Sequence, residues 1–308
     1  MVGNLRLPPR GAARAHRVAA GCVLAACVAS TACASGPDTA PPVATPSVTV
    51  PSGQAPAGRT VDIAYRFAVG PSAPPFAEDY TVFVHALDED GDQLWTGDHE
   101  PPTPTSQWKP GSVIEYTQAM TVPRRAPEGR VTIAVGIHSP RSRDRLPLSG
   151  DDMGRRAYRV GSLDVIEKAG TLTIFLGGWN GIEAPDGEQG IEWRWTKGEG
   201  AVWMRRSTGP AVLVVALDQP ATVFETPQQV TIRNGDAVLD TFALPRGRLE
   251  RRRIPVPPPT APGDNLRLEI TVAVDKTFVP ARVAGSESSD TRELGVRVFD
   301  VHLEEDAP

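Results

Sequence analysis

Proline is the sequence feature that most restricts how this chain can fold. The chain of 308 residues contains 31 prolines, and they are scattered along it rather than gathered in one repeat. Because proline inside a helix removes a backbone hydrogen bond and clashes with the preceding turn, this distribution disfavours long helices. It argues against a doubly wound α/β enzyme and favours short strands joined by many turns.

The first half of the body alternates apolar and polar residues with a period of two. This pattern predicts strands at Val61–Phe67, Tyr80–Ala86, Val113–Thr117 and Val131–Ile137. Clusters of turn-forming residues separate them, at Asp88–Asp92, Lys109–Gly111 and Ala126–Gly129. The spacing predicts an antiparallel, immunoglobulin-like β-sandwich over residues 59–167.

A second series of strands is predicted over residues 168–306. Its runs are Leu172–Leu176, Ile191–Trp195, Ala201–Arg205, Ala211–Leu217, Gln229–Arg233, Val238–Ala243, Leu266–Val274 and Leu294–Leu303. Asn234 and Gly235 lie between two of these runs and predict a tight hairpin. Seven or eight strands predict a second sandwich, of jelly-roll type. The expected fold class is all-β, with two consecutive antiparallel sandwiches.

Residues 1–32 have the pattern of a bacterial lipoprotein signal peptide. Four arginines precede an uncharged run, Val18–Ala32, that is too short for a membrane span. All three cysteines lie in or directly after this run, so we expect no disulfide in the body. Cys27 has the sequence context closer to a lipobox, whereas Cys33 leaves a longer apolar run and no stray thiol. We favour Cys33 as the lipidated residue, with Cys27 as the alternative.

Residues 33–58 are rich in Pro, Ala, Ser and Thr and predict a disordered tether, although Val48–Val50 resembles the start of a strand. Acyl chains on the cysteine would hold the body on a membrane, outside the cytosol. Ala34 follows Cys33 where a retention signal would have aspartate, which favours the outer membrane if the bacterium has two. Removing residues 1–32 leaves 28 basic and 37 acidic residues, so we expect no nucleic-acid partner.

Several short motifs resemble β-sandwich modules of the bacterial envelope. Phe83–Leu87, Trp108–Gly111, Pro127–Gly129 and Gly136–Pro140 resemble a module at the periplasmic end of multi-spanning glycosyltransferases. Gly178-Trp179, Glu183, Arg194-Trp195 and Asp290–Val296 are similar to a second module of such proteins. The likeness covers residues 60–305 and includes no catalytic membrane domain. It implies an accessory role in envelope glycan biology rather than transferase activity.

Aromatic and charged residues of the second half form the candidate ligand site. Trp193 and Trp195 alternate with Glu192 and Arg194, so both indoles should project from one face of a strand. That face belongs either to the core or to a platform on which sugar rings stack. Asp290 and Arg292 should form a close pair that holds Arg194 or the nearby loop. The candidate ligand-binding residues are Trp179, Glu183, Trp193, Arg194, Trp195, Asp290 and Arg292.

No common catalytic motif is present, and we predict neither a metal nor a cofactor. His85 and His138 are predicted to be structural, and Asp88–Asp92 to be a solvated hairpin tip. The run Arg246–Arg253 is predicted to be a solvated strand edge, with an acidic glycan or phospholipid headgroup as its alternative ligand. For glycoside hydrolysis the nearest carboxylates to the tryptophans are Glu183, Asp186, Glu188 and Glu192.

These observations predict a non-catalytic, membrane-anchored envelope lipoprotein that binds a glycan or a partner protein. Two alternatives stay open. One is a carbohydrate-active hydrolase that uses carboxylates of the second sandwich. The other is a structural or assembly subunit that binds no glycan.

Overall fold

The computed structural model describes residues 40–167, 172–184, 190–206, 208–259 and 266–305. Within these ranges the chain is all-β, with 3-10 turns at Thr105–Gln107 and Pro280–Arg282. The predicted fold class is therefore confirmed. In the described ranges no helix has the length and apolar character of a membrane span. The predicted signal peptide, with Cys27 and Cys33, lies outside the described residues.

Sandwich 1 consists of two sheets with one shared core. Its strands are β1 (Ala44–Thr49), β2 (Gln54–Pro56), β3 (Thr60–Val69), β4 (Thr81–Leu87), β5 (Gln93–Thr96), β6 (Val113–Thr121), β7 (Gly129–His138), β8 (Asp151–Asp152) and β9 (Tyr158–Ile166). One sheet has the order β1-β3-β6, and the other has the order β2-β9-β7-β4-β5 with β8 beside β9. Strand β2 runs parallel to β9, and the other pairs are antiparallel. This order is the immunoglobulin-like arrangement that the sequence predicts.

The period-two pattern of β3 explains the core of sandwich 1. Ile63, Tyr65 and Phe67 are fully buried, whereas Arg66 between them is exposed. Phe67 packs on Trp108 with 5.1 Å between ring centroids. Because alternate residues of a strand face opposite sides of the sheet, these three side chains meet the apolar face of the second sheet.

The prediction of a disordered tether up to residue 58 is wrong from Ala40 onward. Strand β1 pairs with β3 over its whole length, and Val43, Ala44 and Ala55 are buried. The composition favours a spacer because the apolar residues there are small and separated by Pro, Ser and Thr. These small residues suffice because β3 supplies a complete row of hydrogen-bonding partners.

Sandwich 2 also consists of two sheets around one core. Its strands are β10 (Thr173–Phe175), β11 (Trp179–Glu183), β12 (Trp193–Thr196), β13 (Glu199–Arg205), β14 (Ala211–Asp218), β15 (Gln229–Asn234), β16 (Ala237–Ala243), β17 (Glu250–Val256), β18 (Arg267–Val274) and β19 (Arg297–Glu305). The sheet orders are β10-β13-β18-β15-β16 and β11-β12-β19-β14-β17. The chain passes repeatedly between the sheets, as in a jelly roll.

Two local features of sandwich 2 follow directly from the sequence. The predicted hairpin is present, with Asn234 opposite Ala237 and Gly235 at a φ of +56°. Strand β17 lies at a sheet edge, as predicted for the arginine run. Strand β11, by contrast, is not predicted from the sequence, because its glycine-rich segment resembles a loop.

The two sandwiches meet at a buried ion pair between Arg59 at the start of β3 and Asp300 in β19. Their closest atoms are 3.0 Å apart, and both side chains are almost fully buried. The Thr60 N–H donates to the same carboxylate at 3.2 Å, and His302 Nδ1 lies 3.1 Å from it. Burial acts to raise the pKa of the Asp300 carboxyl, but His302 and Arg59 outweigh it and hold that pKa below its usual value.

Arg251 of β17 also belongs to this interface, which corrects the prediction of a solvated arginine run. Its guanidinium binds Asp62 of sandwich 1 at 2.9 Å and Glu304 of sandwich 2 at 3.2 Å. The Arg251 side chain is only 10% exposed. The second sandwich thus uses its edge strand to contact the first.

We predict that Asp300→Asn destabilises the protein by about 3–5 kcal/mol, because the charge of Arg59 stays buried without a carboxylate. The measurement is urea unfolding at neutral pH. The matched control is Arg66→Met, which removes a pair with Glu115 whose side chains are 49% and 68% exposed. That control should lower the free energy of unfolding by less than about 1 kcal/mol. Equal effects of the two substitutions would contradict the prediction.

Candidate functional site

A cleft of about 350 Å³ opens where strands β12 and β19 separate. The two strands pair only at Arg194–Val298 and Trp195–Arg297. The residues before Trp193 leave the sheet toward sandwich 1, where the Gly190 carbonyl accepts a hydrogen bond from the Arg124 N–H at 2.9 Å. Residue 299 is the extra residue of a β-bulge, since Ala216 lies opposite Asp300 and Leu217 opposite Val298. These two departures from regular pairing leave the space between the strands.

Both sandwiches contribute to the wall of this cleft. Sandwich 1 contributes Arg59 and Arg124, and sandwich 2 contributes most of the rest. The aromatic and aliphatic lining residues include Leu172, Phe175, Ile182, Trp193 and Phe299, and the charged ones are Arg59, Arg124, Glu192, Arg194 and Asp300. A volume of this size lies at the lower end of the range for small-ligand sites.

Arg194 lies in the cleft with its guanidinium stacked on an aromatic ring. Its Cζ atom is 4.8 Å from the centroid of Phe175. Its Nη1 donates to the Asn180 carbonyl at 3.3 Å. On β12 it lies between Trp193 and Trp195, so its side chain projects from the opposite face of the strand. The cleft is lined by both Trp193 and Arg194, so side chains from both faces of β12 contribute to it.

Trp193 and Trp195 share one face of β12, as predicted, but this face is not a free platform. Arg297, opposite Trp195 in register, has its Cζ 5.1 Å from the Trp193 ring and 5.7 Å from the Trp195 ring. The same atom is 5.5 Å from the ring of Phe299. Trp195 is 7% exposed, whereas Trp193 is half-buried and lines the cleft. Only Trp193 of this pair is available to a ligand.

Arg297 is held in the aromatic cluster by a bidentate ion pair. Its Nε and Nη2 atoms donate to the two carboxylate oxygens of Asp218 at 2.6 and 2.5 Å. Burial raises the pKa of the Asp218 carboxyl, and the Arg297 guanidinium opposes that shift. The cluster is a cation–π site that the chain fills with its own cation.

Asp290 and Arg292 form the close pair that the sequence predicts, and of the two predicted targets they hold the loop, through Glu183, rather than Arg194. Arg292 donates to Glu183 at 2.5 Å and to Asp290 at 2.6 Å. The second oxygen of Glu183 accepts a hydrogen bond from the Trp195 indole at 3.2 Å. The hydrogen bonds from Arg292 hold the pKa of the Asp290 carboxyl below its usual value. These groups fix β11 against the loop before β19, outside the cleft.

Trp179 closes one end of the core of sandwich 2. Its indole N–H donates to the Ala201 carbonyl at 2.6 Å, and its ring meets Phe175 edge-on at 5.0 Å. A Cβ atom on Gly200 would lie 2.6 Å from the Trp179 ring, so this packing requires glycine. Of the seven predicted ligand residues, the structure therefore places Trp193 and Arg194 in the cleft. Asp186 and Glu188 of the hydrolase hypothesis lie outside the described residues.

Sequence reasoning missed the contributions of Arg59, Arg124, Phe175 and Asp300. Two of them belong to the first sandwich, and no local pattern links them to the second. The run Arg297-Val298-Phe299-Asp300 carried a usable signal, since it places aromatic and charged residues together in a predicted strand. The β-bulge that brings Phe299 and Asp300 to the cleft is a property of the pairing with β14.

A second cleft, of about 610 Å³, is also lined by Arg59. Its lining includes Asp62, Arg251, Arg253, His302 and Glu304. Arg251 is paired with Asp62 and Glu304, and Arg253 is paired with Glu304. This cleft is larger, but its described lining contains no Phe, Tyr or Trp ring and its arginines are neutralised. The cleft at Trp193 is therefore the stronger candidate site.

The histidines predicted to be structural lie apart from both clefts. His85 and His138 flank Phe83, with ring centroids 4.9 and 6.1 Å away. The acidic turn is an exposed hairpin tip, as predicted, with the Asp88 carboxylate accepting from the Asp90 and Asp92 N–H groups. Among the described residues no cluster of three or more His, Cys, Asp or Glu is placed to hold a metal ion.

No protein-family model and no curated protein sequence matches this chain. Among solved structures, it is similar to a carbohydrate-binding module of Cellvibrio mixtus lichenase 5A in complex with cellotriose, at 9% identity and a TM-score of 0.27, over 44% of this chain and 98% of that one. It is also similar to the C-terminal module of the Zobellia galactanivorans laminarinase LamC. The identity is 14% and the TM-score is 0.22, and the match covers 42% of this chain and 99% of that one.

A third similar structure is the tandem carbohydrate-binding module pair of Paenibacillus barcinonensis Xyn10C. It is 14% identical, has a TM-score of 0.26 and covers 80% of this chain and 78% of that one. At these values the similarities carry no argument about function. The function has to be inferred from the residues of this chain alone.

We predict that Arg297→Met destabilises the protein by about 3 kcal/mol at neutral pH, because Asp218 loses its cation while it stays buried. A raised pKa in the folded state means that the folded protein binds the proton more tightly than the unfolded chain. The deficit should therefore shrink as the pH falls from about 7.5 to about 5. Urea unfolding of the unsubstituted protein and of Arg297→Met at both pH values measures this deficit.

The matched control for this prediction is Arg267→Met on the opposite sheet. Arg267 also lies near a tryptophan, Trp203, and pairs with Glu269, but both charged side chains are about half exposed. Its substitution should lower the free energy of unfolding only slightly, and by nearly the same amount at both pH values. A deficit for Arg297→Met that stays constant with pH would show that Asp218 does not take up the proton.

Proposed function

We propose that this chain is a non-catalytic carbohydrate-binding protein whose ligand occupies the cleft between β12 and β19. The observation that carries the proposal is the position of Trp193, which presents an indole at a cleft that is also lined by charged hydrogen-bonding groups. The C–H face of a sugar ring packs on an aromatic ring, while its hydroxyls need polar partners at the rim. Arg124, Glu192 and Arg194 are such partners.

The carboxylates favour binding over hydrolysis. A glycoside hydrolase needs one protonated carboxyl group and a second carboxylate that acts as base or nucleophile. Asp300 is held ionised by His302 and Arg59, and Glu192 lies 3.5 Å from Arg124. Glu183 is bound by Arg292 and lies outside the cleft. The lowered pKa of the Asp300 carboxyl disfavours its protonated form at neutral pH.

We also propose that the protein is an extracytoplasmic lipoprotein of the bacterial envelope, anchored through Cys33 and acting beside glycan-processing machinery. The support is the pattern of the first 32 residues and the resemblance of the body to envelope glycosyltransferase modules. The ligand is then an envelope glycan. A partner protein at the same cleft is the competing hypothesis.

The first experiment measures saccharide binding by the purified chain, on a glycan array and then by calorimetry with the best ligand. Trp193→Ala should weaken binding by about tenfold or more, because a half-buried aromatic anchor is lost. Trp193→Phe should retain part of the affinity. The control is Trp203→Ala on the opposite sheet, which should leave affinity unchanged. Absence of any saccharide ligand, or equal affinity of Trp193→Ala and the unsubstituted protein, would overturn the binding proposal.

The second experiment labels cells that express the chain with an alkyne-bearing fatty acid. Cys33→Ala should abolish the label and release the protein from the membrane fraction, whereas Cys27→Ala should change neither. Loss of the label only in Cys27→Ala would assign the anchor to the alternative cysteine. Lack of label in the unsubstituted protein would overturn the lipoprotein proposal and leave the binding proposal intact.

A further inference from the structure

The charges that line the described part of the cleft do not cancel. Five charged side chains line its described part, and four of them form two ion pairs. Arg59 pairs with Asp300 at 3.0 Å, and Arg124 pairs with Glu192 at 3.5 Å. Arg194 has no carboxylate partner among the described residues, and its Nη1 donates instead to the Asn180 carbonyl. The described lining therefore carries one positive charge without a partner.

The guanidinium of Arg194 is held in a defined position. It stacks 4.8 Å from the centroid of Phe175, and its bond to Asn180 fixes one of its nitrogens. A guanidinium has five N–H donors in a planar fork, so most of the donors of Arg194 stay available. A fixed planar fork loses little conformational entropy when it binds an anion.

We infer that the cleft selects an acidic sugar, with the Arg194 guanidinium binding the sugar carboxylate while the ring packs on Trp193. This inference rests on the proposed function and adds the class of ligand. A carboxylate carries one negative charge, which matches the one cation without a carboxylate partner in the described lining, and it binds a guanidinium in a bidentate manner. A phosphate monoester carries about −1.5 to −2 charges at neutral pH, which is more negative charge than one guanidinium balances. A neutral sugar would leave Arg194 unpaired in a half-closed cleft.

The test compares three forms of one oligosaccharide: a uronic-acid form, the same compound with its carboxylates reduced to alcohols, and a sulfated form. The unsubstituted protein should bind the uronic-acid form about 10- to 100-fold more tightly than the reduced form, as expected for hydrogen bonds to a charged group. Arg194→Gln should abolish this preference, because it weakens binding of the uronic-acid form far more than binding of the reduced form. Arg194→Lys should be intermediate, because it keeps the charge and loses the fork.

The matched control is Arg125→Gln, which removes an exposed arginine next to Arg124 that does not line the cleft. Arg125→Gln should leave unchanged both the affinity for the uronic-acid form and the preference for it over the reduced form. Tighter binding of the sulfated form would overturn the choice of a carboxylate. An equal loss of all three ligands in Arg194→Gln would show a purely structural role and would also overturn the inference.

The two proposals fail in different ways. If the reduced form binds in a manner that depends on Trp193 and the uronic-acid form binds no better, the inference is wrong and the binding proposal stands. If no form binds, or if Trp193→Ala has no effect on any of them, the binding proposal itself is wrong. The same titrations at about 0.5 M salt provide an internal check, since the preference for the acidic form should fall with ionic strength while the affinity for the reduced form should not.

Discussion

The buried contact between Arg59 and Asp300 is the interaction on which the rest of the site depends. It joins residues 241 positions apart in the sequence and ties the start of β3 in sandwich 1 to β19 in sandwich 2. Two desolvated charges tolerate little displacement, because each is costly without the other. Arg59 also lines both clefts. The pair therefore sets the position of the sandwiches and the shape of the candidate site together.

The cleft at Trp193 exists because regular strand pairing stops. Phe299 occupies the β-bulge of β19, and the residues before Trp193 turn toward sandwich 1 instead of continuing along the sheet. Bulges and sheet edges are places where side chains can be redirected without loss of the core. The neighbouring cluster around Arg297, which is paired with Asp218, shares Trp193 and Phe299 with the cleft, whereas its third ring, Trp195, does not line the cleft. Two adjacent indoles on one strand thus have different roles.

A site that draws on both sandwiches requires the complete body of the chain. Arg59 and Arg124 come from sandwich 1, while Trp193 and Arg194 come from sandwich 2. Either sandwich on its own would lack part of the wall and both inter-sandwich ion pairs of the cleft. This arrangement links the proposed saccharide binding to the integrity of the interface, so substitutions at Arg59 or Asp300 should be interpreted as changes in both.

The sequence by itself determined the fold class, because the alternation in strands such as β3 and the Asn234-Gly235 turn are local consequences of strand geometry. It also predicted that Trp193 and Trp195 share a face. Its composition was misleading for β1, whose small residues are ordered only by pairing with β3. Only the tertiary structure decided which indole lines the cleft and which of its arginines has no carboxylate partner among the described residues. Those outcomes depend on contacts between distant residues, such as Arg124 with Glu192, which no local pattern encodes.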